Sequence, residues 1–299
     1  MAHLTINFLT DALRRPITIE AILPTDKMAV QGFYVPEKKP MKTMYVLEGL
    51  MSNHTGAVHY TNIQGLAEDN NLAVFIIGGE NEWYANSAVG WAKYNDVVWN
   101  DLVKFTRASF NLSHDREDTF IAGFSMGGGG SLVVGLSHPE IFSRIMTFSP
   151  SPCEYDSTNP GRMFKDVFRI EGADTYEELA KQCASRTDVE KPKVFFTSGS
   201  NDVLLPWDEA YCKTLIDCGF DVTWSVNAGM YHSWHSYQMS MEKAIAWLPL
   251  DRFDKEIVCM GPEASVEKIF AGWTPYYNVD ENSAIGLDIN EKLNEQING

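Results

Sequence analysis

The chain is poor in cysteine, and the little it has is unpatterned. Five residues, Cys153, Cys183, Cys212, Cys218 and Cys259, make an odd number with no C-x-x-C pair and no histidine at zinc-ligand spacing. A disulfide framework or structural zinc site is thereby disfavoured, and the five read as buried thiols of a reducing compartment. None sits in a nucleophile-like setting. Basic residues are also scarce: 24 Lys plus Arg face 40 Asp plus Glu, leaving a net charge of −16. Such a surface repels phosphate backbones and anionic bilayers, so neither nucleic acid nor a membrane is expected as a partner, and the charge serves solubility. No apolar run reaches the roughly 18–20 residues of a membrane span. The first residues, Met1 to Phe8, lack the basic start, apolar run and cleavage site of a secretory signal, so a cytoplasmic location is expected. Internal repeats, low-complexity tracts and an obvious interdomain linker are all lacking.

What is present is an alternation of short apolar runs with helical patterns. The runs are 4–8, 17–23, 44–47, 73–77, 119–122, 145–148, 194–197 and 222–226. Eight such runs separated by helices predict an α/β fold whose sheet is mostly parallel after an antiparallel start, with helices on both faces. Val98, Leu102 and Phe105 fall at helical spacing within 95–110. A second helix is predicted over 207–217, opening after Pro206 and ending before Gly219. Residues 151–191 are too long for a simple crossover and contain a capping box, Thr175-Tyr-Glu-Glu178. A small lid-like insertion is expected there. Residues 1–250 form the expected catalytic domain. Residues 251–299 hold the aromatic cluster Ile269, Phe270, Trp273, Tyr276 and Tyr277, which predicts a C-terminal extension packed on the domain or on a second subunit of a homo-oligomer.

The chemistry concentrates at Gly123-Phe-Ser-Met-Gly127, directly after a predicted strand and before a helical run to about Ser137. A G-x-S-x-G in strand-turn-helix context is the nucleophile elbow of an α/β-hydrolase fold. Side chains at Gly123 and Gly127 would collide with neighbouring backbone in so sharp a turn, which projects the Ser125 hydroxyl above the sheet. The following helix aims its N-terminal amides at the same point, so the Met126 N–H is the natural first oxyanion donor.

A serine hydroxyl needs a base, and this fold supplies Asp or Glu and then His downstream of the serine. Of His138, His232 and His235, the first lies before a proline at the far end of the elbow helix. His232 hangs from the loop leaving the last predicted strand, with His235 three residues further on as the alternative. Asp202, in the glycine-containing turn 199–202, is the candidate acid; Asp208, Asp217 and Asp221 suit a helix first turn, a helix end and a strand entry. The second oxyanion donor is expected from the loop after the third run, at the Leu50 N–H or else Met51. His54 and His59 precede the nucleophile and read as structural.

Over roughly residues 3–250 the chain resembles the esterase D-like branch of the α/β-hydrolases, in particular bacterial tributyrin esterases and the related acetyl and feruloyl esterases. The resemblance rests on Ile6-Asn-Phe with Ile22-Leu-Pro-Thr, Gly49-Leu-Met-Ser-Asn-His-Thr, Leu112-Ser-His-Asp-Arg-Glu, Gly123-Phe-Ser-Met-Gly-Gly, Gly199-Ser-Asn-Asp and His232-Ser-Trp, all in order. It implies hydrolysis of short-chain acyl esters without cofactor or metal, a triad of Ser125, Asp202 and His232, and oxyanion donors at Leu50 and Met126. Two departures stand out. Glu48 replaces the histidine that usually precedes the oxyanion-loop glycine. The segment Gly79-Glu-Asn-Glu-Trp-Tyr is unusually acidic, with Trp83 and Tyr84, and also Trp234, as candidate pocket residues. The same machinery would serve an acyltransferase, and a catalytically silent binding relative is the reading from another class.

Overall fold

Strands form where apolar, β-branched residues run without interruption, because both faces of a central parallel sheet are covered. The computed structural model describes residues 1–25, 40–87, 91–151, 168–169 and 175–250, all within one unit. The eight sheet strands are β1 (Ala2–Thr10), β2 (Arg15–Leu23), β3 (Lys42–Leu47), β4 (Leu72–Ile77), β5 (Thr119–Phe124), β6 (Arg144–Phe148), β7 (Lys193–Gly199) and β8 (Val222–Asn227). Each overlaps one of the eight predicted runs. Their order is β1-β2-β4-β3-β5-β6-β7-β8. The β1–β2 and β2–β4 pairs are antiparallel and every later pair is parallel.

The helices are α1 (Gly56–Tyr60), α2 (Ile63–Asp69), α3 (94–109, with a π-helical middle at Val97–Leu102), α4 (Met126–Ser137), α5 (Tyr176–Ser185), α6 (Leu205–Asp217) and α7 (Trp234–Trp247). Successive residues of β3 serve opposite faces. Tyr45 and Leu47 join Val98 and Leu102 of α3, Leu132 and Val133 of α4, Leu179 of α5 and Leu215 of α6. Met44 and Val46 join Ala57 of α1, Ile63 of α2, and Tyr237 and Met241 of α7. Each fully buried aliphatic side chain of this kind stabilises the fold by about 1.5–3 kcal/mol.

Of the stretch 151–191, where a lid-like insertion is expected, the described helical portion is a layer of the core. Thr175 caps α5 by accepting the Glu178 N–H at 3.1 Å, and Tyr176, Leu179, Ala180 and Cys183 are buried against α4 and α6. The Tyr211 hydroxyl of α6 donates to the Tyr176 carbonyl. Residues 152–167 and the extension 251–299 lie outside the described residues. Of the cysteines, Cys183 and Cys212 are buried free thiols and Cys218 is only partly buried; Cys153 and Cys259 lie outside the description. Among the described residues no helix is long and apolar enough to cross a membrane.

Candidate active site

In an open parallel sheet the loops at the carboxyl ends of the strands lie together along one edge, and ligands bind there. The loops after β3, β5, β7 and β8 carry the candidate residues. Ser125 occupies the turn between β5 and α4 at φ 56°, ψ −119°, a strained conformation for a non-glycine residue. Backbone hydrogen bonds hold it. Its N–H donates to the Phe148 carbonyl, and its own carbonyl accepts from the Gly129 and Ser151 amides. A Cβ at Gly123 would stand 2.0 Å from the Gly127 carbonyl oxygen, and one at Gly127 would stand 1.9 Å from that of Leu47. Only glycine fits either place.

His232 Nε2 lies 2.8 Å from Ser125 Oγ, and its Nδ1 lies 2.8 Å from Asp202 Oδ2. The three side chains therefore form one unbroken hydrogen-bonded line. The loops that bring them together are laced by main chain. Ser200 N–H donates to the Asn227 carbonyl, Asn201 N–H to that of Met230, and Gly229 N–H to the Ser200 hydroxyl. Ser233 then caps α7, so the chain enters its next helix one residue after the base. The His232 ring stacks on Phe124, with centroids 4.8 Å apart.

The Asp202 side chain is wholly buried. Burial pushes its carboxyl up, but the hydrogen bonds from His232 and the Leu204 N–H outweigh this, leaving it below the usual carboxylate range. A carboxylate so held stays ionised and fixes the tautomer that presents Nε2 to the serine. The other histidines are occupied elsewhere. His138 stacks on Trp99 and faces Asn95 and Glu140, and His54 lies 3.7 Å from Glu20. His235 is exposed on α7. Asp217 and Asp221 pair with Lys213 and Lys193.

Two backbone amides belong to residues next to the nucleophile or to a glycine packed against it. Met126 is the first residue of α4, where amides are left free by the helix. Leu50 follows Gly49, at which an added Cβ would stand only 3.6 Å from Ser125 Cβ. The alternative at Met51 is weakened because its N–H donates to Asn81 Oδ1 at 2.9 Å. Glu48, at the head of this loop, is fully buried. Burial pushes its carboxyl up to about 7 despite hydrogen bonds from the Ala57 N–H at 2.7 Å and the Ser52 hydroxyl at 3.0 Å.

The tentative pocket residues separate. Tyr84 is not a pocket residue: it is completely buried, and its hydroxyl donates to the carbonyls of Glu48 and Ile77 at 2.9 and 3.0 Å. Trp83 is buried in the same core. Both adopt left-handed backbone, as do Glu80 and Asn81, so the acidic segment folds tightly behind the loop carrying Leu50 and supports it. Trp234 is half-buried and stacks on Tyr60 of α1, centroids 4.3 Å apart, while its ring also nears Phe124. Leu50, Met51, Val203 and Tyr231 place exposed apolar side chains on the loops around the serine. Tyr60 was missed in the sequence, where nothing marks it apart from any helical tyrosine.

Comparison with known proteins gives the family and the fold. A family model described as "Putative esterase" matches residues 10–247. The chain is 28% identical over 262 residues to an acetyl esterase of Caldicellulosiruptor saccharolyticus, covering 83% of this chain and 98% of that one. Among solved structures it is similar to the fluorophosphonate-binding serine hydrolase F of Staphylococcus aureus, with 24% identity, a TM-score of 0.69, and coverage of 83% and 98%. It is likewise similar to a ferulic acid esterase of Anaeromyces mucronatus, with 16% identity, a TM-score of 0.61, and coverage of 83% and 90%. With the α/β-hydrolase fold in place and the family model spanning most of its length, the chain belongs to this esterase family of carboxylic ester hydrolases.

Proposed function

We propose that the protein is a serine carboxylesterase acting on short-chain acyl esters, of acetyl or butyryl type, including acyl groups on sugars and feruloyl esters, through a covalent acyl-enzyme. The observation that carries this reading is the continuous Asp202–His232–Ser125 line, 2.8 Å at each step. Ser125 Oγ attacks the ester carbonyl while His232 Nε2 takes its proton, and Asp202 stabilises the imidazolium. The Met126 and Leu50 amides hold the oxyanion. His232 then protonates the leaving alcohol, and water repeats the cycle on the acyl-enzyme. No step needs a metal or an organic cofactor. The exposed apolar side chains around the serine suit an uncharged acyl group, and Trp234 with Tyr60 offers an aromatic surface beside it.

The test is hydrolysis of p-nitrophenyl acetate, butyrate and octanoate by the wild type beside Ser125→Ala. Turnover of the two short esters that vanishes in the variant, with fluorophosphonate labelling lost at the same position, supports the reading. Equal turnover in both proteins, or none in either, overturns it.

A further inference from the structure

The loop that carries the Leu50 amide leaves β3 at Glu48 and reaches α1 at Gly56, and the Glu48 carboxyl spans it from inside. Oε1 accepts the Ala57 N–H at the far end, and Oε2 accepts the Ser52 hydroxyl at the middle. The backbone of the same residue is pinned as firmly. Its N–H donates to the Ile77 carbonyl, and its carbonyl accepts the Tyr84 hydroxyl. The packing around the carboxyl is close: a Cβ at Gly56 would stand 2.5 Å from Oε2 and 2.3 Å from Ser52 Oγ. The mechanism uses none of these atoms. We propose that Glu48 is a positioning residue for the oxyanion loop, its buried carboxyl fixing where the Leu50 amide points and its negative charge, when present, opposing the oxyanion formed beside that amide.

The charge argument follows from the surroundings. Glu48 is fully buried, and the titratable groups that face it are the phenols of Tyr84 and Tyr237, both fully buried and held neutral because burial raises them. No lysine, arginine or histidine pairs with it among the described residues. An ionised Glu48 is therefore an uncompensated charge two residues from a proposed oxyanion donor, in a medium that screens it poorly. Both protonation states keep the clamp. The neutral acid accepts from Ala57 and donates to Ser52 Oγ, whereas the carboxylate accepts from both. Its upward-displaced ionisation, about 7, puts the change of state within the working range of a histidine-dependent hydrolase.

This inference rests on the proposed triad mechanism, and the experiment separates the two. kcat and KM for p-nitrophenyl acetate are measured across roughly pH 5.5–9 for wild type, Glu48→Gln, Ser52→Ala and Ser125→Ala. The wild-type kcat is expected to fall toward high pH as Glu48 ionises. In Glu48→Gln, whose amide keeps both loop contacts without the charge, the fall should vanish and kcat near pH 8 should exceed wild type by about 3–10-fold with KM little changed. Ser52→Ala removes a hydrogen bond that favours the carboxylate, so the fall should move to higher pH. A purely structural role for Glu48 leaves that fall unmoved. Wild-type, Gln and Ala profiles of one shape would overturn the inference while leaving the triad reading intact. Full activity in Ser125→Ala would overturn the triad reading and this inference with it.

Discussion

The two walls of the site are built by different means. On one side, the elbow is held by main-chain hydrogen bonds, and the loops after β7 and β8 by main-chain bonds joined by the side chains of Ser200 and Asn227. Ser125 is fixed between Phe148, Gly129 and Ser151, and the Asp202 and His232 loops are laced through Ser200, Asn201, Asn227 and Met230. On the other side, the loop from Gly49 to Thr55 is held chiefly by side chains: the Glu48 carboxyl, the Tyr84 hydroxyl and the Asn81 amide. Main-chain bonds do not depend on residue type or on pH, so the first wall should tolerate most substitutions outside the triad. The second wall depends on particular side chains, one of which ionises near neutrality, and it should fail residue by residue.

The strongest way to test the first wall is through the triad itself. Asp202→Asn keeps the shape but loses the charge and favours the wrong histidine tautomer, so kcat for p-nitrophenyl acetate should fall by about 10³–10⁴-fold. Melting temperature should change little; a fall of less than tenfold in kcat would break the assignment of the acid. Gly127→Ala attacks the same wall through its backbone. The added methyl meets the Leu47 carbonyl, and the protein should lose about 3 kcal/mol or more of stability, read as a collapse of the urea midpoint or loss of soluble protein.

The remaining two tests concern buried side chains. Asp208 on α6 is fully buried beside the Ser198 hydroxyl, and burial pushes its carboxyl up to about 9. Its folded form thus holds a proton that the unfolded chain has released by pH 4–5. Stability from this group is complete below the unfolded value, about 3.9, and is lost progressively as pH rises toward 9. Asp208→Asn should flatten that decline, and equal slopes of unfolding free energy against pH in the two proteins would contradict it. Tyr84→Phe removes the hydroxyl bonded to the Glu48 and Ile77 carbonyls, of which the second keeps the Glu48 N–H, and should cost about 1–3 kcal/mol. Because the loop bearing Leu50 rests on that hydroxyl, kcat should fall several-fold while KM barely moves.

How much of this could be read in advance follows from the range of each signal. All eight strands were legible, since each buried strand is a short apolar run bounded by polar turns. The elbow was legible because its two glycines lie within five residues of each other. Ser125, Asp202 and His232 could be chosen by chain order and by the loop each occupies. Of the second wall, the loop, its Leu50 amide and the departure at Glu48 were legible, but not the side chains that hold it. Nothing local distinguishes Tyr84 as a buried pin from Tyr84 as a pocket residue, since the decision lies with partners 36 and 7 residues away. Likewise the amphipathic pattern of α5 fits a lid as well as a core layer, and only its burial against α4 and α6 decides the matter.

The ring of Phe124 is flanked by His232 and by Tyr237, stacked at centroid distances of 4.8 and 4.9 Å. Phe124 is also the residue immediately before the serine, at the tip of β5. The base therefore rests by its ring on the residue that precedes the nucleophile, so one side chain borders both partners of the 2.8 Å gap across which the proton must pass.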